Sequence, residues 1–175
     1  MDGANSTVIY LEGSRQSSSL SVLNNSAVVV RGNRVSRPVQ CVIFFRWFLS
    51  VESHSAVVFQ GNDMQESLVV FYSIFSSYIY YNAWLQLSGN LCRESPSDTF
   101  AVLSPPVNLR DSTVSVSGNQ FMSSKGMTRA LRIPTGSSDL TNGEIVAACN
   151  TVGGEEEASL RWWATRFIWT ALTVL

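Results

Sequence analysis

The sequence predicts an all-β fold, a right-handed parallel β-helix of about five coils, with a candidate C-terminal helix. Three observations carry that reading. A ten-residue phrase ending in Gly-Asn recurs at nearly constant spacing; apolar and polar residues alternate within it; and a second short apolar run lies between successive copies.

The phrases are "SAVVVRGNRV" (26 to 35), "SAVVFQGNDM" (55 to 64), "AWLQLSGNLC" (83 to 92), "STVSVSGNQF" (112 to 121) and "GEIVAACNTV" (143 to 152). Aligned on Asn33, Asn62, Asn90, Asn119 and Asn150, they step by 29, 28, 29 and 31 residues. Gly32, Gly61, Gly89 and Gly118 precede the first four asparagines, and Cys149 precedes the fifth. Glycine takes positive φ at no steric cost and asparagine tolerates the left-handed region best among side-chain-bearing residues, so the dipeptide suits a corner. Stacked about 4.8 Å apart, the asparagines would form a ladder of amides bonded from coil to coil.

Period two within each phrase sets an inward face. It comprises Val28, Val30 and Val35; Val57, Phe59 and Met64; Leu85, Leu87 and Cys92; Val114, Val116 and Phe121; Ile145, Ala147 and Val152. Between phrases lie "STVIYL", "QCVIFF", "SLVVFY", "TFAVLS" and "RALRIP", short runs bounded by Gly, Pro, Ser or Asn, as strands are. At least two strands per coil follow, and three fit better. Pro38, Pro96, Pro105, Pro106 and Pro134 all fall between phrases, where a missing ladder donor costs least. A leucine-rich repeat shares the LxLxxNxL part of the pattern. Its preceding leucine, however, is replaced by Asn25, His54, Asn82, Asp111 and Asn142, all polar, which favours the β-helix.

The repeat region is read as residues 1–153. Residues 154–175 break the pattern: Glu155, Glu156 and Glu157 precede Leu160, Trp163, Phe167, Ile168, Ala171 and Leu172. That spacing suits an amphipathic helix with acids in its first turn, able to cap the open end of a stack, or else an unrelated tail.

Composition narrows function by exclusion. Twelve Lys plus Arg against 13 Asp plus Glu give a net charge of −1, without the basic field that nucleic acid or an anionic membrane would need. The three cysteines, Cys41, Cys92 and Cys149, form no CxxC pair, and with one histidine, His54, no zinc set or disulfide framework is indicated. No metal or other cofactor is expected. The first residues lack the basic and apolar blocks of a signal peptide, and the 16 apolar-rich C-terminal residues carry Arg161 and Arg166, so no membrane span is read.

Catalysis on a polysaccharide would need converging carboxylates. Asp63, Asp98, Asp111 and Asp139 fall at different phases of the repeat, and only Asp63 and Glu66 are close in sequence. The aromatic runs "FFRWFL" and "FYSIFSSYIYYNAW" offer a sugar-stacking platform, with Phe45, Trp47, Tyr72, Tyr78 and Tyr80 as its candidates. The plainer alternative stacks those rings inside the solenoid. Asn5 in "NST" and Asn24 in "NNS" match the N-glycosylation pattern, which matters only on the secretory route.

The phrases "VVVRGNRVSRPVQC", "SVSGNQF" and "RIPTGSSDLTNGEIVAACNTV" resemble the dispersed gene family proteins of trypanosomes, over roughly residues 6 to 154. The resemblance implies a β-helical ectodomain of a glycosylated surface or secreted protein, with an adhesive role toward host matrix or glycans and with membrane segments far outside this region. Members of that family are several-fold longer, which implies a fragment or shortened copy, and a remnant without independent activity is a further expectation. The chain departs from the family pattern near Gly154. The resemblance carries no catalytic residue. Against this adhesin-like expectation stands the alternative of a polysaccharide-active lyase or hydrolase on the same fold.

Overall fold

A computed structural model describes residues 7–11, 18–35, 41–46, 48–66, 69–73, 76–94, 99–104, 106–122, 129–133 and 139–153. The expected C-terminal helix and tail, with Asn5, Trp47 and Asp98, lie outside the described residues. The described residues contain no helix, and every strand pairing among them is parallel.

The chain winds through four short strands per coil. The first coil holds β1 (Thr7–Leu11), β2 (Ser18–Val22), β3 (Ala27–Arg31) and β4 (Arg34–Val35). The next holds β5 (Cys41–Phe45), β6 (Phe48–Glu52), β7 (Ala56–Gln60) and β8 (Asp63–Gln65). Then come β9 (Val69–Ser73), β10 (Ser77–Tyr80), β11 (Trp84–Ser88) and β12 (Leu91–Arg93). They are followed by β13 (Thr99–Leu103), β14 (Val107–Arg110), β15 (Thr113–Ser117) and β16 (Gln120–Met122). The last described coil holds β17 (Arg129–Arg132), β18 (Glu144–Ala148) and β19 (Thr151–Gly153).

Like strands stack into four sheets. Sheet A runs β1-β5-β9-β13-β17, sheet B β2-β6-β10-β14, sheet C β3-β7-β11-β15-β18 and sheet D β4-β8-β12-β16-β19. Three sheets are thus five strands deep and the fourth is four deep, extended by a single bridge from Asn108 to Asp139. This is a parallel β-solenoid, as the sequence predicts.

The first four coils have four strands each, at least the two expected and one more than the three that fit the sequence better, for two physical reasons. The Gly-Asn corner cuts each ten-residue phrase into two strands, one in sheet C and one in sheet D. Sheet B begins within the aromatic runs, where "FLSVE" buries Leu49 and Val51 and "SYIY" buries Ile79, and continues in the short "VNLR" after Pro106, which buries Val107 and Leu109, each at alternate positions. The inward face read from the phrases forms the core. Phe59, Met64, Leu85, Leu87, Cys92, Val114, Val116 and Phe121 are sealed from solvent, while Val28, Val30 and Val35 on the terminal strands β3 and β4 are only partly covered. Phe100 of sheet A meets Phe121 of sheet D across the interior at 5.0 Å between ring centres.

The asparagine ladder holds the C-to-D corner. Asn62 Oδ1 accepts both the backbone N–H of Asn33 (3.0 Å) and its side-chain Nδ2 (2.9 Å). Asn90 does the same for Asn62, Asn119 for Asn90 and Asn150 for Asn119, all within 2.9 to 3.1 Å. The second Nδ2 hydrogen points back one coil, from Asn62 to the Val30 carbonyl, from Asn90 to Phe59 and from Asn119 to Leu87. Each interior amide therefore spends two donors and two acceptor sites without reaching water, and Asn62, Asn90 and Asn119 are at most 1% exposed.

Gly32, Gly61, Gly89 and Gly118 precede these asparagines with φ between 60° and 66°. A Cβ at any of them would meet no atom closer than 3.9 Å, so glycine is needed there for backbone conformation alone. Cys149 adopts the same conformation at φ 53° and bears its cost with a side chain present.

A second corner joins sheet B to sheet C, built by different chemistry. Asn24 and Asn25, Ser53 and His54, and Tyr81 and Asn82 are consecutive left-handed pairs, and Asp111 and Asn142 continue the series. Their N–H groups reach the next coil's carbonyls, as in Asn25 to Ser53 (2.9 Å), His54 to Tyr81 (3.0 Å) and Asn82 to Asp111 (2.6 Å). The five polar residues that argue against a leucine-rich repeat, Asn25, His54, Asn82, Asp111 and Asn142, are this corner. His54 is exposed there, as a turn residue. The next position is small in every coil: Ser26, Ser55, Ala83, Ser112 and Gly143. At Gly143 a Cβ would overlap Leu109 Cβ, which fixes glycine by close approach and not by φ.

Asn90→Ala removes the acceptor for two donors of Asn62 and a donor to Phe59 inside the core, so unfolding free energy should fall by about 2–4 kcal/mol in urea titration. Asn33→Ala at the exposed end of the ladder should cost under about 1 kcal/mol. Equal losses at the two positions would show that the buried amides do not hold the corner. Cys149→Gly should raise stability by about 1 kcal/mol, since only the left-handed backbone is relieved.

Candidate functional site: an exterior aromatic strip

Sheet B presents its alternate residues outward. On β6 these are Phe48, Ser50, which its neighbours cover, and Glu52; on β10, Tyr78 and Tyr80; on β14, Asn108 and Arg110. Parallel register sets Tyr80 between Glu52 and Arg110, and Tyr78 between Ser50 and Asn108. The rings form a chain: Phe48 to Tyr78 at 6.1 Å, Tyr78 to Tyr80 at 6.0 Å and Tyr80 to Tyr81 at 5.8 Å between centres, all tilted or edge-on. Such distances lie within the range of favourable aromatic pairs, so the strip holds its own shape.

Charged groups frame one end. The Arg110 guanidinium lies 5.6 Å from the centre of the Tyr80 ring and donates from Nε (3.1 Å) and Nη2 (2.9 Å) to Asp139 Oδ2. Thr141 donates its hydroxyl (2.6 Å) and backbone N–H (3.2 Å) to the other carboxylate oxygen. The Thr141 hydroxyl first, and Arg110 second, hold the Asp139 carboxyl below the usual carboxylate range, while the bond to Asp139 raises Arg110. Partial burial pushes the Tyr80 phenol above 10.0 against the lowering pull of Arg110, so Tyr80 offers a neutral hydroxyl, a donor as well as an acceptor, throughout the physiological range.

Tyr81 carries the most informative backbone. It stands in the left-handed region at φ 60°, where bulky side chains are genuine outliers, and the residue is 54% exposed. Buried contacts do not account for that choice. The equivalent positions one and two coils earlier are Ser53 and Asn24, small polar residues.

The sequence-derived platform is only partly assembled. Tyr78 and Tyr80 come together outside the solenoid, contrary to the alternative that stacks them inside. Phe45 and Tyr72 belong to β5 and β9 of sheet A, a different sheet. Phe48 and Tyr81 complete the strip, and sequence reasoning passed over both. The signal was available in "FLSVE", whose inward Leu and Val leave Phe48 outside.

Sheet C bears a second feature next door. Its outward residues Trp84, Gln86, Thr113, Ser115 and Glu144, with the corner residues Asn82, Asp111 and Asn142, line a shallow open groove of about 710 Å³. Register aligns Trp84, Thr113 and Glu144 on successive strands. The Asn142 amide donates to Asp111 Oδ1 at 3.0 Å. Trp84 is 41% exposed.

The other carboxylates disperse. Asp63 opens β8 in sheet D and pairs with Arg93 at 2.8 Å; Glu66 lies at the end of that strand, and Asp139 belongs to the line of sheet B. Among the described residues no three His, Cys, Asp or Glu side chains gather as metal ligands. Cys92 is buried and Cys149 exposed. Asn24 sits exposed on the B-to-C corner, sterically open to modification.

With this geometry in hand, comparison with known proteins adds no identity: no family model, curated protein or solved structure matches the chain.

Tyr81→Asn keeps the corner and relieves the bulky left-handed residue, so stability should rise by about 0.5–1 kcal/mol in a thermal or urea melt. A loss of stability would assign Tyr81 a structural and not a functional reason.

Proposed function

We propose that this chain is a non-catalytic, adhesin-like glycan-binding module of a surface or secreted protein, one that engages extracellular matrix or cell-surface glycans through the outer face of sheet B. The observation that carries the reading is the exterior chain of rings Phe48, Tyr78, Tyr80 and Tyr81, flanked by the Arg110–Asp139 pair. Sugars present apolar C–H faces to rings and hydroxyls to polar neighbours, and this strip supplies both within one surface. Tyr81 adds a second support. Strain of order 1–3 kcal/mol persists only where the surrounding structure or the function requires it, and here the strained residue is an exposed ring at the end of the strip.

The rest of the molecule suits such a role. The stack places the rings on two adjacent hydrogen-bonded strands, β6 and β10, and the corner that follows β10, with Arg110 on the neighbouring β14, so the rings are held without ordering on binding. Asn24 as a glycosylation site agrees with a secretory route and lies at the same corner line as Tyr81, two coils away.

The enzyme reading keeps one supporting observation: Asp111 and Glu144 line a single groove. Acid–base cleavage would release new reducing ends from a bound polysaccharide, and Glu144→Gln would stop it. We expect no such release.

Tyr80→Ala should weaken binding to an immobilised glycan array or matrix preparation by about tenfold, equivalent to about 1.4 kcal/mol, because the contact between the ring and the apolar sugar face is lost. The melting temperature should move little, since the Tyr80 ring lies outside the core. Unchanged binding with an intact melt would remove the strip from the function.

A further inference from the structure

We propose that the groove on sheet C is a second subsite, continuous with the tyrosine strip around the B-to-C corner, and that it selects uncharged oligosaccharides over anionic ones. The inference rests on the reading of the strip as a sugar platform and specifies its ligand class. Continuity comes from the chain itself: Tyr80 ends β10, Tyr81 and Asn82 make the corner, and Trp84 opens β11. An extended glycan lying across the rings of Tyr78 and Tyr80 reaches Trp84 by following one coil over its corner.

The groove has the size and lining of a saccharide site. Its volume of about 710 Å³ falls inside the range of about 300–1,000 Å³ typical of ligand clefts. Trp84 gives an exposed indole face for one sugar ring. Gln86, Thr113 and Ser115 give neutral donors and acceptors on adjacent strands, and Asp111, oriented by the Asn142 amide, gives fixed acceptor oxygens for hydroxyls.

Charge sets the selectivity. The lining holds two carboxylates, Asp111 and Glu144, and no lysine or arginine. The nearest cation on the neighbouring sheet, Arg110, is already committed to Asp139 through two hydrogen bonds. A uronate or sulfate entering the groove would meet like charge with no compensating partner, whereas a neutral sugar can donate its hydroxyls to the same carboxylates.

The test is calorimetric titration of the full chain with cellohexaose, xylohexaose and chitohexaose as neutral probes and hexagalacturonate as the anionic one. At least one neutral hexasaccharide should bind, and hexagalacturonate should bind at least tenfold more weakly, the gap narrowing as salt rises. Trp84→Ala should weaken the neutral ligand about tenfold with an unchanged melt, Trp84→Phe should retain most of the affinity, and Glu144→Gln should improve hexagalacturonate binding.

Separate outcomes judge the two readings. Loss of binding in Tyr80→Ala with none in Trp84→Ala and Trp84→Phe would overturn the groove and leave the strip standing. Loss in Trp84→Ala but not in Tyr80→Ala would remove the strip and overturn the continuity of the two subsites. Hexagalacturonate binding as tight as the neutral probes would overturn the selectivity, and no binding by any probe would overturn the subsite altogether.

Discussion

Every level of this structure depends on one constraint: each coil must pass its backbone and side-chain hydrogen bonds to the next coil in unbroken register. A parallel sheet has no hairpins to fix that register locally, so it must be set at the corners. The buried amides do this because they tolerate no slip. Displace one coil by a residue and an Oδ1 loses two donors inside an apolar interior, a penalty of several kcal/mol. Corner and core thus enforce one another. Core side chains demand a fixed phase of alternation, and the ladder supplies a fixed point from which to count it.

Chain length shows where the constraint acts. From the left-handed residue of the B-to-C corner to the ladder asparagine, from Asn25 to Asn33, His54 to Asn62, Asn82 to Asn90, Asp111 to Asn119 and Asn142 to Asn150, the separation is 8 residues in every coil. All the variation in the period, 28 to 31 residues, falls elsewhere. Sheet C is therefore the ruler of the solenoid, clamped at both ends. The two clamps use opposite chemistry. At the C-to-D corner the polar groups point inward and bond one another, which demands asparagine at every level and a left-handed residue before it, glycine in four coils and Cys149 in the fifth. At the B-to-C corner the side chains point toward solvent, which admits Asn, His, Asp and even Tyr, provided that the following residue is small enough to pass the neighbouring coil.

That asymmetry explains what could be read from the sequence. The ladder corner demands a narrow residue set, so Gly-Asn repeats visibly and the solenoid class follows from it. The inward face of sheets C and D follows from alternation, as Phe59, Leu87 and Phe121 illustrate. On β6 and β10 sheet B was obscured because the outward Phe48, Tyr78 and Tyr80 are aromatic beside apolar inward residues, which blurs the period-two contrast, and on β14 because "VNLR" is only four residues long. The same loss of contrast hid the strip itself. Phe45 and Tyr72 share the composition of Tyr78 and Tyr80 but occupy another sheet, and a linear run of aromatics does not say where the chain turns. Trp84 and Glu144 stood in plain outward positions of the repeated phrases. They went unremarked because one belongs to an aromatic segment and the other to an apolar strand, and only the register aligns them on one face.

A solenoid of this kind separates its two tasks more completely than a compact domain does. Inward residues and corner amides are committed to stacking, while every second residue of each strand faces outward with no structural duty. Bulky apolar groups at such positions oppose solubility, so they need a reason other than folding. In sheet B they recur on adjacent strands and extend into Tyr81, whose backbone conformation works against its side chain. Packing does not require these choices and the corner geometry opposes one of them. On the proposed reading a partner that covers the rings accounts for both, and the hydroxyls, amides and two carboxylates of the adjoining groove suit a partner that is polar, extended and uncharged.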